Sequence, residues 1–326
     1  MSDIKRKILD RAEEDLIGIE NALTDNLRPH LDLVARTAKH ILFSGGKRLR
    51  PLLMVLSARL CGYHGDYDKT FACVFEYLHA ATLLHDDLVD GAEFRRGKPV
   101  VHSQWGSSVA VLTGDYLLAR ALSISAEAGS LKSIKIIAEI TEQMSQGEIQ
   151  QLTNKGDLGL SEEDYVAVIY RKTGVLIEGA CRVGAIFAGA PEIEEQALSD
   201  YGRHLGLAFQ MVDDLLDYTA DTDVLGKKTG ADLREGKLTL PLIYAYSRAG
   251  ADDRAFVEKV LKHKNFSVQD FEKVIDILKK YKGLDYTYQG AARRVSAAKE
   301  ALSVFNASET KDLLLDIADY ALVRKS

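Results

Sequence analysis

Five prolines, at positions 29, 51, 99, 191 and 241, are all that this chain of 326 residues contains. Proline removes a backbone donor and clashes with the preceding turn, so it interrupts helices more reliably than any other residue. Residues 100–190 and everything after Pro241 carry none, which leaves room for helices longer than average. Apolar periodicity fills that room. Ile8, Ala12, Leu16, Ile19 and Leu23 form one stripe along residues 3–24, as an amphipathic helix requires. Similar patterns predict helices near 28–43, 51–61, 67–90, 105–128, 131–153, 161–189 and 193–219, followed by shorter ones. Ser161 with Asp164 and Ser267 with Asp270 have capping-box spacing, and Asn306 is placed to cap the last helix. No run of alternating β-branched residues predicts a sheet.

Size alone would suggest about two domains. No Ser/Gly/Pro linker, low-complexity tract or charge block divides the chain, however, and 46% hydrophobic with 28% charged residues suit one large core. The expectation is a single all-α domain over residues 1–326. Forty-two Lys and Arg against 48 Asp and Glu leave a formal charge of −6, which offers no general attraction for nucleic acid or an anionic membrane. Any anion site must therefore be local. The N-terminus lacks the uncharged run of a secretory signal, and no stretch approaches about 18 consecutive apolar residues, so a cytoplasmic location is the default expectation. Cys61, Cys73 and Cys181 cannot all pair, and none has Cys-x-x-Cys spacing, which argues against structural zinc and a disulfide framework.

Two segments repeat one acidic pattern, Asp86-Asp87-x-x-Asp90 and Asp213-Asp214-x-x-Asp217. With 28 aspartates in the chain, such a triplet should arise by chance on the order of 0.2 times, so finding two is informative. On a helix, positions i and i+4 share a face, which pairs Asp86 with Asp90 and Asp213 with Asp217. A solvated acidic patch is the bland explanation, but apolar runs at 80–84 and 205–212 lead directly into both motifs. Like charges gathered at the ends of buried walls need cations. All-oxygen donor sets suit hard cations, and Mg²⁺ typically takes one or two carboxylates plus substrate phosphates. The pattern points to a magnesium-bridged diphosphate. A ferritin-like di-metal bundle would need two Glu-x-x-His motifs, and only Glu76-x-x-His79 is present.

A diphosphate needs cationic donors at the same end of the bundle, and three glycine-containing loops supply them. The first, at 44–50, carries Lys47, Arg48 and Arg50 beside a helix start, where backbone N–H groups also favour anions. The second carries Arg95 and Arg96 shortly after Asp90. The third, at 219–237, places Lys227, Lys228 and Lys237 beside Gly226, Gly230 and Gly236, like a lid that could close, or merely a surface loop. His79 precedes Asp86 by two turns on the same face. Lys172, followed by Thr173, lies mid-helix on an apolar face, an expensive position for an unpaired cation. Gln210 shares the face of Asp213 and Asp217.

These residues resemble the trans-type isoprenyl (polyprenyl) diphosphate synthases over nearly the whole chain. The matching segments are GGKRLRP (45–51), LLHDDLVD, RRGKP (95–99), GDYLLARA (114–121), RKTGVLIE (171–178), FQMVDDLLDY (209–218) and GKKTGADLREGKLTLPL (226–242), in the family's order and spacing. The resemblance implies an all-helical bundle with a deep central cavity, usually a homodimer, and 1′-4 condensation of isopentenyl diphosphate onto an allylic prenyl diphosphate. It assigns Lys47, Arg50, His79 and Arg96 to isopentenyl diphosphate. It assigns Arg95, Lys172, Thr173, Gln210 and Lys227 to the allylic diphosphate. Asp86, Asp90 and Asp213 match magnesium ligands, with Asp217 beside them and Asp87 in the middle of the first motif. Asp86, Asp87, Asp90, Lys172, Thr173, Gln210 and Asp213 together form the catalytic set it implies.

Product length in such enzymes depends on what blocks the hydrocarbon channel. Short-chain relatives carry bulky aromatics four and five residues before the first motif, where this chain has Thr82 and Ala81. The expectation is therefore a long product, hexaprenyl to decaprenyl with octaprenyl the best single reading, of the kind that serves as a quinone side chain. Alternatively, the two small residues only permit tight helix packing; Ile136 or Ile137 could form a deeper floor. A short-chain synthase and a noncatalytic subunit of a heteromeric synthase are the alternative functions. A class I terpene cyclase would carry a different second metal motif. Basic segments at 279–282 and 293–294 could touch a membrane transiently as product leaves, although solvated helix faces explain them as well.

Overall fold

The longest helices lie in the intervals 52–98, 100–190 and 192–240 between consecutive prolines. The protein was analysed as a computed structural model, which describes residues 3–219, 230–263 and 266–324. The chain begins with α1 (Asp3–Arg11), α2 (Glu13–Leu27), α3 (Asp32–Leu42), α4 (Leu49–Leu60) and α5 (Asp68–Val89). A two-residue hairpin, β1 (Phe94–Arg95) with β2 (Lys98–Pro99), precedes α6 (Val101–Trp105), α7 (Ser107–Glu127), α8 (Leu131–Thr153) and α9 (Glu162–Ile169). A π-helical turn, Tyr170–Gly174, then leads into α10 (Val175–Phe187) and α11 (Glu192–Thr219). Further helices span Ala231–Arg234, Leu240–Arg248, Ala251–Lys262, Val268–Lys280, Gly283–Ala301 and Glu309–Val323. The fold is all-α, and α11, at 28 residues, starts directly after Pro191.

Four departures from the expected pattern have local causes. The first helix is interrupted at Ala12, the N-cap of α2. The hairpin turns through Arg96 and Gly97, at φ 53° and 74°, the two positive values that a tight hairpin turn requires. The expected helix 161–189 is divided by the π turn. Ser161 and Ser267 cap their helices as spaced, but the last helix is capped by Ser308, whose hydroxyl accepts from the Lys311 N–H, rather than by Asn306.

The main core joins α1–α5, α7, α8, α10, α11 and the C-terminal helix through residues such as Leu23, Leu53, Phe71, Phe75, Tyr77, Ile137 and Tyr201. A second apolar cluster, around Tyr218, Leu233, Leu242, Phe271 and Leu278, seats the C-terminal helices against the end of α11. Among the described residues α7 is the one helix long and apolar enough to cross a membrane by length and composition. It nevertheless carries Asp115 and Arg120, and it buries Ala110, Leu117, Ala121 and Ile124 in the main core.

One buried ion pair also answers the Glu76-x-x-His79 question. Arg48, 5% exposed, donates to Glu76 Oε1 at 2.6 Å, to Glu20 Oε1 at 2.6 Å and to the Leu42 carbonyl at 2.7 Å. Glu76 therefore neutralises an arginine instead of starting a di-metal motif. Arg48 is correspondingly structural, not an open phosphate donor. Breaking a buried pair strands the remaining charge, so Glu76→Ala should destabilise by about 3 kcal/mol, the lower end for such pairs because Glu20 stays in place. Urea denaturation midpoints would measure this; an unchanged midpoint would mean that Glu20 suffices.

Candidate active site

Helices α5 and α11 each carry one acidic motif at their C-terminal ends, and the π turn stands between α8 and α11. Asp90 is the C-cap of α5. The π turn holds Lys172 and Thr173 at a break in regular helical bonding, a device that recurs at functional sites. Lys172 Nζ lies 2.6 Å from Glu148 Oε2 and donates to Gln151 Oε1 at 2.7 Å. Thr173 donates to Gln210 Oε1 at 2.9 Å, and Gln210 Nε2 donates to Asp214 Oδ1 at 2.9 Å. A cavity of about 140 Å³ is lined by Lys172, Thr173, Gln210, Asp214, Asp232 and Lys237, with Tyr165, Val168 and Leu238 as apolar walls. Of the two acidic motifs, the second reaches this cavity through Asp214, and the first through Lys237, which pairs with Asp90.

The carboxylates occupy four different environments. Asp86 is half-buried near Lys172, Glu148 and Asp90; loss of solvent pushes its pKa up to about 6 against the opposing Lys172 charge. Burial would also raise Asp90, but Lys237 and Lys155, at 3.2 and 3.3 Å from its two oxygens, hold it below the ordinary carboxylate range. Asp87 is 4% exposed and takes the Arg95 fork, with Nε at 2.9 Å and Nη2 at 2.7 Å from Oδ1. Asp213 pairs with Arg324 at 2.9 Å.

The other two second-motif carboxylates are held by neutral donors. Asp214 accepts from the Tyr165 hydroxyl at 2.5 Å. Asp217 accepts the backbone N–H groups of Ala231 and Asp232 at 3.1 and 3.2 Å. Burial raises both, and the Asp232 charge adds to it. The six aspartates are thus held differently: Asp87 by Arg95, Asp214 by Tyr165 and Gln210, and Asp217, expected beside the metal, by the first N–H groups of the short helix Ala231–Arg234. Of the others, Asp90 pairs with two lysines and Asp213 with Arg324, which is buried and also donates to the Phe209 carbonyl.

The basic end forms around the glycine turn at 45–46. A Cβ on Gly46 would lie 3.1 Å from Arg48 Nη1 and 3.4 Å from Arg96 Nη1, so this turn and the hairpin are packed face to face. Arg50 Nε is buried without a hydrogen-bond partner. Burial, together with Arg50, Arg95, Arg96 and Arg48, holds the His79 pKa well below its usual value, so the imidazole is neutral. Lys47 is lowered to about 8 by burial and by Arg324, and lies over the Tyr320 ring at 5.4 Å. Lys47, Arg50 and Arg96 gathered at one end of the bundle are the kind of donors that bind a diphosphate. Lys227, with Lys228 and Gly226, lies outside the described residues.

The donor set suits a hard divalent cation. Among the described residues no three His, Cys, Asp or Glu side chains converge into a ready-made metal centre. Magnesium is commonly held by one or two carboxylates with the remaining positions filled by water and substrate phosphate. Asp86 and Asp90 on one side and Asp213 on the other fit that description.

Sequence reasoning missed Glu148, Gln151, Lys155, Tyr320 and Arg324. Glu148 and Gln151 carry a weak signal, being three residues apart on one face of α8; the others reach the site only through tertiary contacts. Ala81 is 5% exposed in the main core and Thr82 is half-buried, its hydroxyl donating to the His79 carbonyl. Ile136 and Ile137 are buried in the same core. None of these four lines the 140 Å³ cavity.

The π turn depends on a close backbone approach. A Cβ on Gly206 of α11 would sit 2.7 Å from Gly174 Cα, a contact relieved only by shifting backbone. Overpacking of this kind costs about 1–3 kcal/mol. Gly206→Ala should therefore lower the melting temperature and reduce turnover by displacing Lys172 and Thr173; full activity at unchanged stability would show that the turn is free to move.

Residues 32–278 match the sequence model of the family described as Polyprenyl synthetase. The octaprenyl diphosphate synthase of Haemophilus influenzae is 39% identical over 94% of this chain and 93% of its own length. A short chain isoprenyl diphosphate synthase of Methanothermobacter thermautotrophicus is 34% identical over 99% of this chain and 98% of its own. A solved polyprenyl synthase from Caulobacter crescentus, complexed with calcium and isoprenyl diphosphate, superposes with a TM-score of 0.93 at 39% identity, covering 99% of this chain and 98% of that one.

Proposed function

The chain belongs to the polyprenyl synthetase family, and from that premise we propose that it is a magnesium-dependent trans-prenyltransferase. In this reading residues 1–326 form one catalytic domain that adds isopentenyl diphosphate head-to-tail onto an allylic diphosphate such as farnesyl diphosphate. The product is a long all-trans-polyprenyl diphosphate, octaprenyl as the central expectation, suited to a quinone side chain. The observation that carries it is that Lys172, Gln210 and Lys237 line one cavity, and that Lys172 acts on Asp86 and Lys237 on Asp90 from its edge. The relative from Haemophilus influenzae supports the long product, and the Methanothermobacter relative keeps a short product as the second reading.

Asp86, Asp90 and Asp213 would hold magnesium, which when bound supplies charge stabilisation for a departing diphosphate. Lys172, released from Glu148, and Lys237 face the oxygens where negative charge develops as the allylic C–O bond breaks. Preorganised donors aimed at such charge contribute several kcal/mol. Thr173 and Gln210 fix the reacting group, while apolar helix walls exclude water that would capture the allylic cation. Lys47, Arg50, Arg96 and neutral His79 hold isopentenyl diphosphate so that its double bond attacks the cationic carbon. The proton then lost goes to the departed diphosphate. No protein nucleophile takes part.

The same reading includes a homodimer, which light scattering would measure, and action in the cytoplasm. Purified protein supplied with farnesyl diphosphate and radiolabelled isopentenyl diphosphate should extend the prenyl chain when magnesium is present. Excess EDTA should stop turnover, and added magnesium should restore it. Turnover that persists in EDTA would contradict the metal assignment, and none under any condition would favour a noncatalytic subunit.

A further inference from the structure

The loop after α8 and the segment before Leu238 are tied together by the Gly156 N–H donating to the Gly236 carbonyl at 2.8 Å. Each strand of this tie delivers a lysine to the first acidic motif. Lys155 Nζ lies 3.3 Å from Asp90 Oδ1 and Lys237 Nζ lies 3.2 Å from Asp90 Oδ2. Lys172 is held in the same way by Glu148. Three cations thus face Asp86, Asp90 and Glu148, and both oxygens of Asp90 are taken by ammonium groups.

That pairing has an unequal effect on incoming ligands. A divalent cation arriving alone at Asp90 must displace two ammonium groups, and while Lys237 keeps Glu235, Lys155 loses its carboxylate. A cation arriving with a diphosphate gives the displaced ammonium groups new anionic oxygens. The arrangement therefore opposes the bare metal and favours the metal with its diphosphate. Lys237 is also held by Glu235, whereas Lys155 has Asp90 as its carboxylate, and its side chain is 28% exposed and can swing.

We propose that Lys155 is a positioning residue that guards Asp90 against metal alone and transfers its charge to the allylic diphosphate once the metal–diphosphate pair is bound. This rests on the prenyltransferase reading for the identity of the diphosphate, but its central observable is metal binding, which does not require turnover.

The test uses Mn²⁺ as probe, with free ion counted by electron paramagnetic resonance, on the full chain with and without an unreactive farnesyl thiolodiphosphate. Lys155→Met keeps the length and apolar stem while removing the charge. Without the diphosphate it should bind Mn²⁺ about five-fold more tightly than wild type, and the tightening of Mn²⁺ binding by the diphosphate should shrink by more than that factor. Lys155→Arg should behave like wild type in both arms. In turnover, Lys155→Met should raise KM for farnesyl diphosphate and leave KM for isopentenyl diphosphate unchanged.

Unchanged or weaker Mn²⁺ binding by Lys155→Met alone, or an unchanged metal–diphosphate coupling, would overturn the proposal. If Mn²⁺ alone is too weak to measure in either protein, the thiolodiphosphate affinity with and without a fixed concentration of Mn²⁺ decides, by reciprocity: a smaller ratio in Lys155→Met supports it and an equal one overturns it. Circular dichroism identifies a variant that fails to fold, in which case Lys155→Gln is read by the same criteria. A wild type that binds Mn²⁺ and thiolodiphosphate cooperatively but extends no prenyl chain would count against the prenyltransferase reading and leave the role of Lys155 decided by the binding data.

Discussion

Asp86→Ala should abolish metal-dependent turnover, with a loss of at least about 10³-fold, while leaving the fold intact. Losing one preorganised group at a developing charge costs about 10²–10³-fold, and a carboxylate that holds the metal also governs whether the departing diphosphate is neutralised at all. The structure separates this effect from simple unfolding. Asp86 is buried enough for its pKa to stand at about 6, so its ionised form is held at a cost when no metal is present. Removing it relieves that cost. A destabilised variant would lose activity together with its melting transition, whereas Asp86→Ala should lose activity at a melting temperature equal to or above that of the wild type. Activity within about tenfold of wild type would contradict the placement of Asp86 at the metal, since that is less than the loss of a single such donor.

Ala81→Phe is expected to shorten the product while preserving turnover. Ala81 lies five residues before Asp86, about 7.5 Å along the axis of α5, and it is 5% exposed within the main core. A phenyl ring cannot be absorbed there without displacing neighbours, which costs about 1–3 kcal/mol when no space is available. If the growing chain runs past this helix, the ring enters the channel and stops growth after fewer additions, because Asp86 and the phosphate-binding cations are untouched. Chromatography of the dephosphorylated products would show geranylgeranyl or other species of few additions in place of the long product. An unchanged product distribution from a folded, active variant would show that another part of the core, such as Ile136 or Ile137, forms the floor.

Much of this architecture is legible in the chain because its strongest signals are local. Helix length follows from missing prolines and apolar periodicity, and Ser161 and Ser267 announce their caps through a side-chain contact only three residues long. The two acidic triplets stand out because their spacing places carboxylates on one helical face. What spacing does not reveal is the partner across the fold. Asp87 belongs to the same triplet as Asp86, yet it faces the opposite way and takes Arg95. Arg48 sits between Lys47 and the rest of a basic loop, but a left-handed backbone turns it inward to Glu20 and Glu76. The π turn at Lys172 has no composition of its own; it arises where Gly174 and Gly206 let α11 come close. Arg324 and Lys155 are single cations in unremarkable segments, and only tertiary docking brings them to Asp213 and Asp90.

Product length determined for the wild-type enzyme tests the central claim most directly. Purified protein with farnesyl diphosphate, radiolabelled isopentenyl diphosphate and magnesium should yield a long all-trans product with octaprenyl diphosphate predominating. A sole product no longer than geranylgeranyl diphosphate would contradict it.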